Sequence, residues 1–302
     1  MKYKLLSLLF CVLSITYSCA QTTDTKKATF NEAKLLERLE ELSSDKYEGR
    51  ETGKKGNDSA RAYIINEFKS LNISGFNGKF EQTFTFSSRN KGYRGVNILA
   101  EIKGAKYPDK YIIISAHYDH LGIRDGIIYN GADDDASGVS ALISFAESMI
   151  KNPPNHSVIL AAFDAEEIGL QGAKHFVKTI EKDKVILNIN MDMISRSQKD
   201  ELYVVGGRYN DKLKSIIDNF ENQTSTKLLQ GHDGTDGKQN WTMASDHGPF
   251  HLAKIPFLYF GNEDHEAYHK PTDDFEDITP QFYKNAVNII LAVFNTIDAS
   301  GL

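Results

Sequence analysis

Cysteine is scarce in this 302-residue chain: there are two, Cys11 and Cys19, both near the start. From Gln21 onward no disulfide can form, so stability must come from a core or from bound metal. Basic charge is also short, with 35 Lys and Arg against 41 Asp and Glu and a formal charge of −6. Without a Lys/Arg cluster to neutralise phosphates, the chain has no nucleic-acid partner to offer. Beyond residue 20, no apolar run approaches the roughly 20 residues that span a bilayer. There is also no internal repeat and no long low-complexity linker.

The start of the chain is a separate object. Lys2 and Lys4 precede the apolar run Leu5 to Ile15, which is too short for a membrane span but suits the core of a signal peptide. We therefore assign residues 1–20 to a signal, 21–29 to a polar tether and 30–302 to one domain. Ile15-Thr16-Tyr17-Ser18-Cys19 resembles a loose lipobox, which would make Cys19 a lipid attachment point. The alternative is cleavage after Ala20. Either way the expected destination is the periplasm, or a membrane or cell surface reached through a lipid on Cys19.

Across the whole chain, 40% hydrophobic residues supply a sizeable core. Apolar positions recur at three- and four-residue steps over 30–42 and 59–71, predicting two opening helices. Runs of β-branched and aromatic residues over 80–86, 96–102, 111–116, 158–163, 185–191, 202–205 and 255–260 predict strands. Helical patterns over 139–150, 172–180, 211–220 and 280–297 alternate with them. Continuously apolar strands between helices imply an α/β fold, with a central mixed, mostly parallel sheet covered on both faces.

Four of these strands end in metal-binding residue types. Residues 112–116 lead into His117 and Asp119; 159–163 into Asp164, Glu166 and Glu167; 186–191 into Asp192; and 255–260 into Glu263, Asp264, His265 and His269. In an open α/β sheet, ligands bind beyond the carboxyl ends of the strands. Four such endings at one edge concentrate negative charge that cations or protons must compensate. A loop, Asn130 to Gly138, adds Asp133, Asp134 and Asp135 among small residues. Imidazole and carboxylate without thiolate suit Zn(II), and two such ions side by side are hydrolytic machinery. In an extended segment the neighbours Glu166 and Glu167 would point in opposite directions, one towards metal and one towards substrate as a general base.

The ordered segments His117-Tyr-Asp-His-Leu-Gly, Gly131-Ala-Asp-Asp-Asp-Ala-Ser-Gly138, Phe163-Asp-Ala-Glu-Glu-Ile-Gly-Leu170, Asn190-Met-Asp-Met-Ile194 and Tyr268-His-Lys-Pro-Thr-Asp273 resemble the motifs of the co-catalytic di-zinc aminopeptidases. That family includes bacterial leucyl aminopeptidases, glutamate carboxypeptidases and glutaminyl cyclases. The resemblance implies a three-layer αβα zinc-peptidase fold and two zinc ions. His117 and Asp192 would hold one ion, Glu167 and His269 the other, and Asp134 would bridge them. Glu166 would be the general base and Asp119 would orient His117, leaving His120 outside the ligand set. Relatives often carry Asn where this chain has Asp135, which leaves three candidate bridges; register with Ala136-Ser137-Gly138 favours Asp134. Ser245 to Phe250 resembles a segment lining the substrate side, so Asp246, His247 and Tyr268 are expected at the substrate, with His251 and His265 outside the chemistry. The 72–100 segment is too short for an insert domain, and access should be open.

The function this implies is an exported metallo-exopeptidase that removes N-terminal residues from peptides. Alternatives of the same fold are a glutaminyl-peptide cyclase, which generally works with one zinc, and a carboxypeptidase, for which no Arg-rich carboxylate clamp is evident in the sequence. A non-catalytic binding ectodomain would be expected to have lost ligands that are all present here.

Overall fold

The structure, a computed structural model, describes residues 30–302. The signal at 1–20, Cys19 and the tether at 21–29 lie outside the described residues. Eleven strands are present among the described residues: β1 Ser74–Gly75, β2 Glu81–Ser88, β3 Lys91–Ile102, β4 Tyr107–His117, β5 Gly122–Arg124, β6 Ile127–Tyr129, β7 His156–Phe163, β8 Val185–Met191, β9 Glu201–Val205, β10 Lys227–Gln230 and β11 Phe257–Gly261. The helices are α1 Glu32–Leu42, α2 Lys55–Ser70, α3 Ser137–Lys151, α4 Gln171–Thr179, α5 Asp211–Asp218, α6 His247–Leu252 and α7 Pro280–Ser300.

Helix ends follow local chemistry. Asn31 caps α1 by accepting from the N–H groups of Ala33 and Lys34. Pro280 opens α7 at a position whose N–H needs no partner.

Nine strands form one sheet, in the order β1-β3-β7-β4-β8-β11-β9-β10, with β2 also on β3. The adjacent strands β7, β4, β8 and β11 are mutually parallel. These are the four strands whose ends carry the acidic and histidine residues, so all four ends emerge at one edge. The antiparallel ladders flank this group, at β3 and at the β11–β9 pair.

Both faces are covered. Along β4, Ile112 and Ile114 join the larger core under α1, α2, α3, α5 and α7, whereas Ile113 joins the smaller core under α4 and α6. This period-two split is what a strand buried on both sides requires. The domain is therefore a three-layer αβα sandwich around a mixed sheet.

Three sequence expectations were incomplete. The 245–250 segment contains a short helix, α6. The strands β5 and β6 form a separate two-stranded hairpin, joined by Asp125 and Gly126 at φ 52° and 79°. An Asp-Gly pair is a strong hairpin turn signal and could have revealed it. Finally, β10 has only four residues and pairs at the sheet edge, too few for a periodic signal.

Candidate metal and catalytic centre

His117 is the last residue of β4 and is buried. Its Nδ1 lies 3.0 Å from the main-chain oxygen of Asp119. A carbonyl can only accept, so Nδ1 donates to it and Nε2 is left to face the pocket. There Nε2 meets Asp134 Oδ1 at 3.1 Å and Asp192 Oδ1 at 3.5 Å.

This corrects the expected role of Asp119. It does orient His117, but through its backbone; its carboxylate oxygen is 3.7 Å from Nδ1. The carboxylate instead accepts the N–H groups of Glu166, at 3.0 Å, and Glu167, at 3.3 Å, and the Thr52 hydroxyl at 3.3 Å. Asp119 thus fixes the Glu166-Glu167 turn. That pair is not extended as expected: Ala165 has φ 60° and the chain turns back from Glu166 to Gly169 and Leu170. The two side chains still face different neighbours, because the turn, rather than strand alternation, separates them.

The three consecutive aspartates divide their work. The Asp133 carboxylate accepts from the Ser195 N–H and hydroxyl, from Asn262 and from His265. The Asp135 carboxylate accepts from the N–H groups of His117, Gly138 and Met193. Asp134 alone turns both oxygens to histidines, Oδ1 to His117 and Oδ2 to His269 at 3.2 Å. Asp273 holds this loop by accepting from the N–H groups of Asp133 and Asp134. Beneath it the fully buried Arg50 donates to the carbonyls of Leu42, Tyr118, Asn130, Gly131 and Asp134.

Around the second oxygen of Asp134 stand His269, whose Nε2 is also 3.4 Å from Glu167 Oε2, and His120. His120 Nδ1 is 2.9 Å from Glu167 Oε1 and 3.7 Å from Asp134 Oδ2, and the residue is buried. The sequence reading left His120 outside this group, yet the structure brings it in. His117, Asp134 and Asp192 form one cluster of potential ligand atoms, and His120, Asp134 and Glu167 another, each within 4.8 Å.

The electrostatics agree with a site built for cations. Burial, reinforced by Asp192 and Asp246, raises Glu166 well above the usual carboxylate range despite the opposing charge of His117. Burial likewise raises Asp119 and Asp135 and takes Asp246 to about 7. Burial disfavours charge on His117, but Asp192, Glu166 and Asp134 outweigh it and raise its pKa well above the ordinary value. Hydrogen bonds to Asp134 and Glu167 raise His269 to about 10. Burial and Asp134 push Glu167 up, but His120 and His269 prevail and hold it at about 2. The histidine protons stand between carboxylates where metal ions would neutralise the same charges.

The centre opens into a narrow cavity of about 120 Å³, walled by Met193, Trp241, Tyr259, Tyr268 and His269 above Glu166 and Asp192. Tyr268 stacks on the His269 ring, with centroids 4.0 Å apart. Asp246 and His247 are a correction, since neither lines this cavity. His247 is fully buried, its Nε2 donates to the Trp241 carbonyl at 2.8 Å and its ring stacks on Phe257 and Tyr259. Burial drives its pKa to about 3, so it stays neutral. Asp246 is buried behind Glu166 with neither oxygen hydrogen-bonded. His265 supports Asp133, and His251 packs against Tyr209 and Phe257, as outlying roles require.

Comparison with known proteins gives a consistent picture. The profile described as peptidase family M28 matches residues 97–294. The aminopeptidase YwaD of Bacillus subtilis is 31% identical over 205 residues, covering 63% of this chain and 41% of its own length. A probable glutamate carboxypeptidase of Zea mays, VP8, is 30% identical over 64% of this chain and 28% of its own. The chain thus spans less than half the length of these curated relatives. Among solved structures, BSAP, a zinc aminopeptidase from Bacillus subtilis, superposes with a TM-score of 0.71 at 16% identity, over 91% of this chain and 96% of that one. Porphyromonas gingivalis glutaminyl cyclase gives 0.71 at 14% identity, over 89% and 99%.

Proposed function

The chain belongs to peptidase family M28, and from that premise we propose that it is a zinc-dependent aminopeptidase acting through two ions with Glu166 as general base. One observation carries this reading: Asp134 turns each oxygen to a different group of donors, His117 with Asp192 on one side and Glu167 with His269 on the other. That donor set of imidazoles and carboxylates fits zinc, and its protonated histidines mark places a cation would take. Bound there, zinc supplies Lewis acidity towards a carbonyl and lowers the pKa of water.

The remaining work belongs to the chain's own residues. Glu166 takes a proton from the attacking water and passes it to the departing amine. Its raised affinity for protons suits a group that must both accept and return one. Asp119 keeps Glu166 aimed by holding the turn from behind. The aromatic walls of the cavity take the side chain of the residue removed, and Asp264, which also lines it, favours a substrate ammonium group. The basic-then-apolar start of the chain supports export, and Cys19 supports a lipid anchor.

The test is metal content per chain on the purified 30–302 domain, with hydrolysis of aminoacyl-nitroanilides by wild type and Glu166→Ala. Two zincs in both proteins, with hydrolysis lost only in the variant, support the proposal. Hydrolysis that survives Glu166→Ala would sink the assigned base. One zinc with cyclisation of N-terminal Gln would favour the cyclase reading, to which the fold likeness also extends.

A further inference from the structure

Glu167 borders two spaces. One is the narrow cavity already described. The other is an open groove of about 610 Å³ that begins at His120, Asp119 and Glu167 and runs outward past Thr52 and Tyr93 to Arg89 and Arg124. The arginines come from separate places: Arg89 from the turn between β2 and β3, Arg124 from the end of β5. No sequence motif joins them.

Both guanidiniums are exposed. Arg124 lies over the Tyr129 ring at 5.4 Å. Neither arginine has a carboxylate within 4.0 Å among the described residues, although the chain as a whole is acidic.

Resting on the aminopeptidase reading, we propose that this groove carries the departing part of the substrate and that Arg89 and Arg124 select peptides with a carboxylate there. An enzyme that removes one terminal residue needs a closed space for that residue and an open path for the rest. The narrow cavity, which Asp264 helps to line, supplies the first; the groove supplies the second. Asp264 stands where an ammonium would sit, and the groove, which Glu51, Asp119 and Glu167 also line, carries the two arginines. A guanidinium recognises a carboxylate through paired N–H donors, and neither of these two has a competing carboxylate among the described residues.

The carboxylate can be an acidic side chain or the peptide C-terminus, and the experiment separates them. The kcat/KM values of Leu-Gly-Gly and its C-terminal amide are compared, as are those of Leu-Glu-Gly amide and Leu-Gln-Gly amide. Wild type and an Arg89→Ala, Arg124→Ala double variant are both measured at low and high salt. We expect one acidic peptide to be preferred over its neutral counterpart about three- to tenfold, as two solvent-exposed ion pairs allow. The ratio should fall towards one in the double variant and at high salt, and the pair that shows it identifies the source. Equal rates within both pairs in wild type, or a preference that survives in the double variant, overturn the proposal. Absence of hydrolysis of all four peptides and of leucyl-nitroanilide by the zinc-loaded wild type would instead remove the aminopeptidase reading beneath it.

Discussion

Replacing Asp119 with Asn separates two roles that the sequence could not tell apart. The substitution removes the negative charge but leaves the main-chain carbonyl that holds His117 Nδ1. The carboxylate accepts two N–H groups, from Glu166 and Glu167. Hydrogen bonds to a charged acceptor contribute roughly 1.5–3 kcal/mol each. Asn keeps one acceptor oxygen and turns an amide towards the other donor, so about one such bond is lost, on the order of 2–3 kcal/mol. If that loss falls on the aim of Glu166, kcat/KM for an aminoacyl-nitroanilide at saturating zinc drops about 30- to 150-fold. Zinc affinity at the His117 site, measured by chelator competition, should change little. A carboxylate acting on His117 itself would give the opposite result, a loss in metal affinity of about 10- to 100-fold. Weakened zinc binding with kcat/KM restored at excess metal would refute our assignment.

Three further outcomes follow from the same geometry. Arg50→Met leaves several buried carbonyls without a donor and four nearby aspartates without a countercharge, so urea unfolding of the metal-free protein should show a loss of about 3–5 kcal/mol; less than about 1 kcal/mol would contradict a structural role for Arg50 beneath the aspartate loop. His120→Ala removes the ring beside Glu167 and should weaken one of the two ions by about 10- to 100-fold while sparing the other, as read by stepwise zinc titration. In the metal-free protein His269 titrates near 10 rather than near its ordinary 6.5. Its contribution to stability is therefore full below pH 6.5 and is lost as pH rises through about 10. Zinc requires the neutral ring, so this group alone should release about one proton per chain on binding at pH 8 and should make apparent affinity about tenfold weaker per pH unit lowered. Calorimetry in buffers of differing ionisation enthalpy measures that release, and none would contradict the assignment.

The legible parts of this protein are those where one residue type does one job. Ile112 to Ala116 followed by His117 announces a strand that ends at a site, because a buried strand tolerates such a residue only at its exit. Register alone favoured Asp134 among three aspartates, and its neighbours' oxygens are engaged elsewhere, those of Asp133 by Ser195, Asn262 and His265 and those of Asp135 by main-chain N–H groups. What stayed hidden depends on long-range geometry. Whether Asp119 acts through its carboxylate or its backbone is settled by an ångström of placement. His120 joins the centre because the chain doubles back after β4, which periodicity does not encode. His247 was expected at the substrate because its segment resembles one that lines the pocket in relatives, and likeness of sequence does not say which way a ring is turned. Arg89 and Arg124 come from unrelated turns, so the absence of a basic motif could not exclude a shared basic path.

The donor atoms of the centre are spread along the chain, from His117 at the end of β4, through Asp134 in the loop before α3, to His269 beyond β11. Entropy forbids a loose chain from gathering such distant groups around an ion. A chain that has not folded therefore carries the residues of the centre without the centre itself. The set is complete only with β11 beside β8, the pairing from which the chain leads on to His269 against Asp134 and Glu167.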